Sequence, residues 1–229
     1  MKDRKVYLAT VAHFTAFDYA YVTSLLRLIV KPPVRIEIAQ PCCDPSVERA
    51  RNILTANFLK TDCTHLLFVD ADIGFKPEDV ARICSHADPV VGGLYPLKNT
   101  TPGIQWCANS LAPGEAVIRA DGLTEVKYIG TGFLCVRREV FETMVARGSV
   151  EKYVQDIPPH REEFAFWTQG VRADGIGGSP RFLTEDWMFC QRCQELGIPV
   201  FADSQVVLRH AGRAEWPLPL QTDNPFVTK

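Results

Sequence analysis

The chain of 229 residues carries 25 Lys and Arg against 27 Asp and Glu, a formal net charge of −2, which gives no electrostatic case for a phosphate-backbone partner. With 46% hydrophobic and 23% charged residues it has ample material for a core and reads as one α/β enzyme domain, not a disordered chain. No run reaches the roughly 18 to 20 apolar residues that a membrane span needs, and Met1-Lys2-Asp3-Arg4-Lys5 leads into a strand rather than a signal sequence, so a cytoplasmic location is expected.

In chain order, Val6 to Val11 is a short apolar run, and Tyr19 to Val30 repeats Leu25, Leu26 and Ile29 at helical spacing until Pro32-Pro33 stops it. A strand Val34 to Ala39, a helix from about Ser46 to Lys60 and the strand Leu66-Leu67-Phe68-Val69 follow. This β-α-β-α-β order predicts a parallel sheet with right-handed crossovers, in which ligands gather at the carboxyl ends of strands. After a short helix from Pro77 to about Ser85 and the run Pro89 to Tyr95, short strands and Gly/Pro turns up to Arg137 predict an antiparallel or mixed continuation. Arg138 to Arg147 and Thr184 to Leu196 read as helices, Gly170 to Pro180 as a glycine-rich loop, Pro199 to Ala202 and Gln205 to Leu208 as strands. The end, with Pro217, Pro219 and Pro225, reads as a loose tail. The eight cysteines, lacking a secretory signal and a second Cys-x-x-Cys beside Cys190 and Cys193, read as buried thiols rather than disulfides or a zinc site.

Asp70-Ala71-Asp72 stands where a buried strand runs out. Residues two apart in an extended chain share a side, so both carboxylates can face one pocket, and hard cations such as Mn²⁺ or Mg²⁺ take oxygen ligands while leaving sites open to phosphate oxygens. His210 offers an imidazole that can supplement carboxylates on such a metal. Glu185 and Asp186 open a helix after Thr184, where acids also favour the helix dipole. Arg51 can fork onto phosphate oxygens and Asn52 can read a base or ribose edge. Gly93 and the Gly130-Thr131-Gly132 turn allow close approach of backbone to a sugar or a strand. Trp187, beside Asp186, could stack on a sugar face.

In this order and separation, Asp70-Ala71-Asp72, Gly130-Thr131-Gly132-Phe133 with Arg137-Arg138, Glu185-Asp186-Trp187 and His210-Ala211-Gly212 resemble the GT-A glycosyltransferases, family 2-like and closest in build to short soluble bacterial or phage members. The resemblance implies a Rossmann-like mixed sheet sandwiched by helices in a single domain. That domain would span residues 1–215, with a donor half of about 1–95 and an acceptor half of about 96–215, before a tail at 216–229. It implies that Asp72 binds the metal, that Asp70 contacts ribose or metal, and that His210 completes the metal shell. Asp186 would be the general base, with Glu185 beside it, and Thr10, Ala12, Arg51 and Asn52 would meet the donor. Gly93, Thr131, Gly132 and Trp187 would lie on the acceptor or sugar side. The implied partners are a nucleoside diphosphate sugar and a hydroxyl acceptor: a glycan, a small molecule or a hydroxymethylated DNA base.

Rival readings fit less well. A haloacid-dehalogenase-like phosphatase would use Asp70 as nucleophile, but its motif opens the domain and has Thr or Val where this chain has Gly74. An EF-hand fails at Phe75 and Ala81. A nucleotidyltransferase needs a glycine-rich basic loop that residues 10–15 lack. A catalytically inactive sugar-nucleotide-binding module is the non-enzyme alternative.

Overall fold

The computed structural model describes residues 4–12, 16–98, 104–111, 117–156, 158–173 and 179–212. The expected C-terminal tail therefore lies outside the described residues. Its elements run β1 (Lys5–Ala9), α1 (Tyr19–Val30), β2 (Arg35–Ile38), α2 (Val47–Leu59), β3 (His65–Val69), β4 (Ile73–Gly74), α3 (Pro77–Ile83) and β5 (Val90–Leu94). There follow β6 (Ala108–Ser110), β7 (Leu123–Ile129), β8 (Phe133–Arg137), α4 (Arg138–Ala146), β9 (Lys152–Val154) and β10 (Glu162–Phe164). The last are β11 (Gly170–Arg172), β12 (Arg181–Leu183), α5 (Glu185–Glu195), β13 (Val200–Val207) and β14 (Arg209–His210).

Eight strands form one mixed sheet in the order β2-β1-β3-β8-β5-β13-β7-β6. The first three are parallel, as the alternating pattern predicts. The chain steps from β1 outward to β2 and then back across β1 to β3. Two right-handed crossovers in opposite directions put α1 and α2 on opposite faces of the sheet. On the α2 side, Phe58, Phe141 and Phe189 link α2, α4 and α5 in an edge-to-face and tilted aromatic chain, and α3 touches α1 on the other side. The result is a Rossmann-like, GT-A-type mixed sheet between helices, in one domain.

Every residue of β3 is buried, because both faces of a central strand are covered, which is why it reads as an unbroken apolar run. Truncating one of its leucines to alanine would cost about 2–5 kcal/mol. Between β3 and β5 the sheet inserts β8, antiparallel to both.

The helix α1 forms over the expected span; it buries Ala20, Tyr21, Ser24 and Leu28, packs Leu25 partly against the core and leaves Leu26 and Ile29 outside. Two expectations need correction. Gly170 to Pro180 is not a loop throughout, since β11 begins at Gly170 and pairs with β12; residues 174–178 lie outside the described residues. The two strands expected after Pro199 are a single β13, whose register against β5 shifts between Asp203 and Val207.

Candidate active site

A crevice opens beyond the carboxyl ends of β1 and β3, the edge at which parallel sheets take ligands. A cleft of about 790 Å³ occupies it, within the range of small-molecule sites. Val11 after β1, Asp18 before α1, Val47 at the start of α2, and Asp70 and Asp72 after β3 line it, with Lys98 and Ala211 across the mouth. Backbone bonds fix the turn: Asp70 N–H donates to Gly132 O (3.0 Å) and Ala71 N–H to Val11 O (3.2 Å). Asp18 N–H donates in turn to Ala71 O (2.8 Å).

His210 reaches this turn through a short antiparallel pairing of β14 with β4, His210 opposite Ile73, and Ala211 N–H donates to Asp72 O at 2.9 Å. His210 Nδ1 lies 2.7 Å from Pro96 O. A carbonyl only accepts, so the proton sits on Nδ1 and Nε2 faces Asp72 Oδ1 at 3.6 Å. Lys98 Nζ meets the other oxygen, Oδ2, at 2.5 Å. Burial favours the neutral acid at Asp72, but the neighbouring His210 and the Lys98 ammonium outweigh it and hold the carboxyl below its ordinary value.

Asp70 belongs to a second group. Arg51, 2% exposed, donates from Nη2 to both of its carboxylate oxygens and from Nε to Glu185 Oε1 at 3.3 Å. Its guanidinium also lies over the Phe68 ring, 5.1 Å from the centroid. Burial works against the Arg51 charge, but Asp70 and Glu185 outweigh it and keep the guanidinium protonated. Arg51 thus ties the end of β3 to the start of α5, where the expected role was a fork onto donor phosphate. Asp186, next along α5, accepts at Oδ1 from the Thr184 hydroxyl (2.5 Å) and from Trp187 N–H (2.8 Å). Burial raises its pKa, with those two donors opposing. Burial likewise raises that of Glu185, against the pull of Arg51 and with repulsion from Asp186 adding.

Several expected contacts are otherwise engaged. Thr10 bonds the Tyr21 hydroxyl (2.6 Å), and both Thr10 and Ala12 are buried; strand alternation turns the residue between them, Val11, into the cleft. Both ends of the Asn52 amide are held by the Trp167 backbone, at 2.9 and 3.0 Å, which leaves neither end for a base or ribose. Trp187 is stacked on Tyr128 at 4.7 Å and covered by Arg181, 4.7 Å from the ring centroid, so neither indole face is open to a sugar. Gly93 is a packing glycine: a Cβ there would lie 2.6 Å from Leu208 Cδ1. At Gly132 a Cβ would lie 2.7 Å from the Tyr95 ring, whose hydroxyl accepts from Gly132 N–H at 2.9 Å. Thr131, between the two glycines, is buried.

Two residues of the site escaped the sequence reading. Lys98 sits on an exposed stretch with no motif around it. Tyr95 bonds Gly132 and packs edge-on against His210, 5.1 Å between centroids; the paired glycines at 130 and 132, which leave room for a large ring, were the available signal. Two other acid-containing clusters, Glu37-Asp62-Cys63 and His86-Asp88-Asp121, already hold cations: Lys5 bridges the first and Arg119 the second.

No protein-family model matches this chain, and no curated protein does. Among solved structures, A197 from STIV is similar at 19% identity with a TM-score of 0.53, over 91% of this chain and 86% of that one. This likeness shows a shared fold. A glycosyltransferase involved in the glycosylation of the major capsid of PBCV-1 matches at 11% identity over 62% of this chain and 65% of that one; its TM-score of 0.31 carries no argument. Function must therefore be argued from the site.

Proposed function

We propose that the chain is a metal-dependent glycosyltransferase that moves a sugar from a nucleoside diphosphate sugar to a hydroxyl acceptor. The observation that carries this reading is the convergence of His210 and Lys98 on Asp72, beside a cleft at the carboxyl ends of the parallel strands that Asp70, Asp72 and Lys98 line. Asp72 Oδ1 and His210 Nε2, 3.6 Å apart and oriented by the Pro96 carbonyl, are a donor pair suited to Mn²⁺ or Mg²⁺. Asp70, turned to Arg51, stands behind them and orients the pocket. When bound, the cation neutralises charge on the departing diphosphate. Lys98, at the mouth of the same cleft, would add a positive charge beside the phosphate oxygens.

The transfer balances within these residues. The acceptor oxygen bonds to the anomeric carbon, the bond from that carbon to the diphosphate breaks, and the diphosphate leaves with the electron pair. The acceptor proton goes to Asp186, whose Oδ1 is steadied by Thr184 and Trp187 and whose raised pKa suits a base. A glycan, a small molecule or a hydroxymethylated DNA base meets the requirement for a hydroxyl. A phosphatase is disfavoured because the fork from Arg51 occupies both oxygens of Asp70, the atom pair that would have to attack phosphorus.

A panel of nucleoside diphosphate sugars, with and without Mn²⁺, tests this by calorimetry and by release of nucleoside diphosphate. Metal-dependent binding of one donor, lost in Asp72→Ala and in His210→Ala, is expected. Absence of metal-dependent binding across the panel rejects the reading. Donor binding without transfer or hydrolysis by any acceptor tried would leave the sugar-nucleotide-binding module in its place.

A further inference from the structure

We propose that the outer face of α1 docks on an anionic phospholipid bilayer, with a basic hollow at its edge taking the lipid phosphate. This stands apart from the chemistry of the cleft. Tyr19, Val22, Leu26, Ile29 and Val30 are all exposed, from 40% at Val22 to 85% at Val30. At the pitch of an α-helix they fall within an arc of about 100°, opposite the buried stripe of Ala20, Tyr21, Ser24 and Leu28. Single exposed apolar residues are ordinary, but a continuous stripe of five on one helix marks a surface that something covers.

The charge around the stripe selects the occupant. α1 contains no acidic residue, and Arg27 and Lys31 flank its C-terminal half. Between α1 and the segment from Gly74 to Lys76 lies a hollow of about 240 Å³, lined by Tyr19, Thr23, Arg27, Lys76 and Arg209 among others, with no carboxylate in its walls among the described residues. Thr23 and Arg27 lie about 20° and 60° past the edge of the apolar arc on the helix, so the hollow borders the stripe. A phosphodiester in the hollow would meet Arg27, Lys76 and the Thr23 hydroxyl while its acyl chains lie along Leu26, Ile29 and Val30. Apolar burial and attraction to anionic headgroups together are what hold an interfacial helix. Asp18, the N-cap of α1, lines the cleft, so docking would hold the cleft mouth near the lipid surface.

The test is co-sedimentation of the full chain with vesicles of phosphatidylcholine alone and with about 30 mol % phosphatidylglycerol. Binding to the anionic vesicles should exceed binding to the neutral ones by about tenfold or more and weaken as salt is raised. The double variant Leu26→Glu/Ile29→Glu, at exposed positions and with unchanged melting, should abolish it, and Arg27→Gln/Lys76→Gln should reduce anionic binding to the neutral level. Equal binding to both vesicles, or binding that survives Leu26→Glu/Ile29→Glu, overturns the proposal. So does a dimer in light scattering that the double glutamate variant dissociates while no vesicle is bound, or calorimetric binding of glycerol 3-phosphate with no vesicle binding.

Discussion

Arg51 and Asp70 are joined by a fork, Nη2 to both carboxylate oxygens at 3.0 and 3.2 Å, in a site where the arginine is shut off from water and Glu185 is its other partner. Removing the cation would leave two carboxylates without their counter-charge. Arg51→Met is expected to lower the unfolding free energy by about 3 kcal/mol at neutral pH, measured by urea denaturation. Arg51→Lys should recover little, since a point charge cannot span Asp70 and Glu185 in the same geometry. A loss under about 1 kcal/mol, the scale of an exposed pair, would show that the bridge is not structural.

Asp186 trades stability against chemistry. Its folded pKa is raised, chiefly by burial, so between the ordinary carboxylate pKa and that raised value the native state holds more protons than the unfolded one. Stability from this group is therefore present at low pH and lost as pH rises through the window. Asp186→Asn should stabilise the protein by about 1 kcal/mol at neutral pH, with the gain fading as pH falls toward the ordinary carboxylate range, and should abolish sugar transfer while donor binding persists. A variant that transfers at the native rate would remove Asp186 from the mechanism.

His65 titrates with the opposite sign. Burial and the nearby Arg137 and Arg4 push it down from 6.5 to about 4, so between those values the unfolded chain binds the proton that the native state refuses. The stability this neutral ring contributes is present above pH 6.5 and lost as pH falls through the window, about 3 kcal/mol in all. Melting curves from pH 7 to pH 4 should be flatter in His65→Gln than in the native chain. Parallel curves would count against the histidine as the source of acid sensitivity.

Gly132→Ala should be costly without touching any charged group. The added methyl meets the Tyr95 ring, and overpacking of this kind costs about 1–3 kcal/mol. Tyr95 in turn packs on His210, so metal-dependent donor affinity should fall along with the melting temperature. An unchanged donor affinity would mean that Tyr95 does not transmit the strain to His210.

What the chain disclosed on its own was what local spacing encodes. The run from Leu66 to Val69 ending in Asp70 and Asp72 is a buried strand and its exit, and both facts lie within seven residues. The fate of Arg51 was hidden because its partner Glu185 is 134 positions away. Nothing in Thr10-Val11-Ala12 says which parity faces the cleft. The α1 pattern shows an apolar stripe but not whether the fold packs it, and here it packs the other side. The antiparallel direction of 133–137 fits the antiparallel or mixed continuation expected up to Arg137, but nothing local in that run places it between β3 and β5.

That insertion bears on how the molecule is made. Because β8 supplies the seam between β3 and β5, a nascent chain ending near residue 95 would carry both strands with no shared neighbour, and their bare edges would face solvent or another chain. The stretch expected as the donor half, about 1–95, thus lacks the strand that joins its β3 to its β5. The N-terminal strands must wait for residues 133–137 to emerge before the sheet can close, and until then they are open to wrong pairing, the hazard of late non-local contacts.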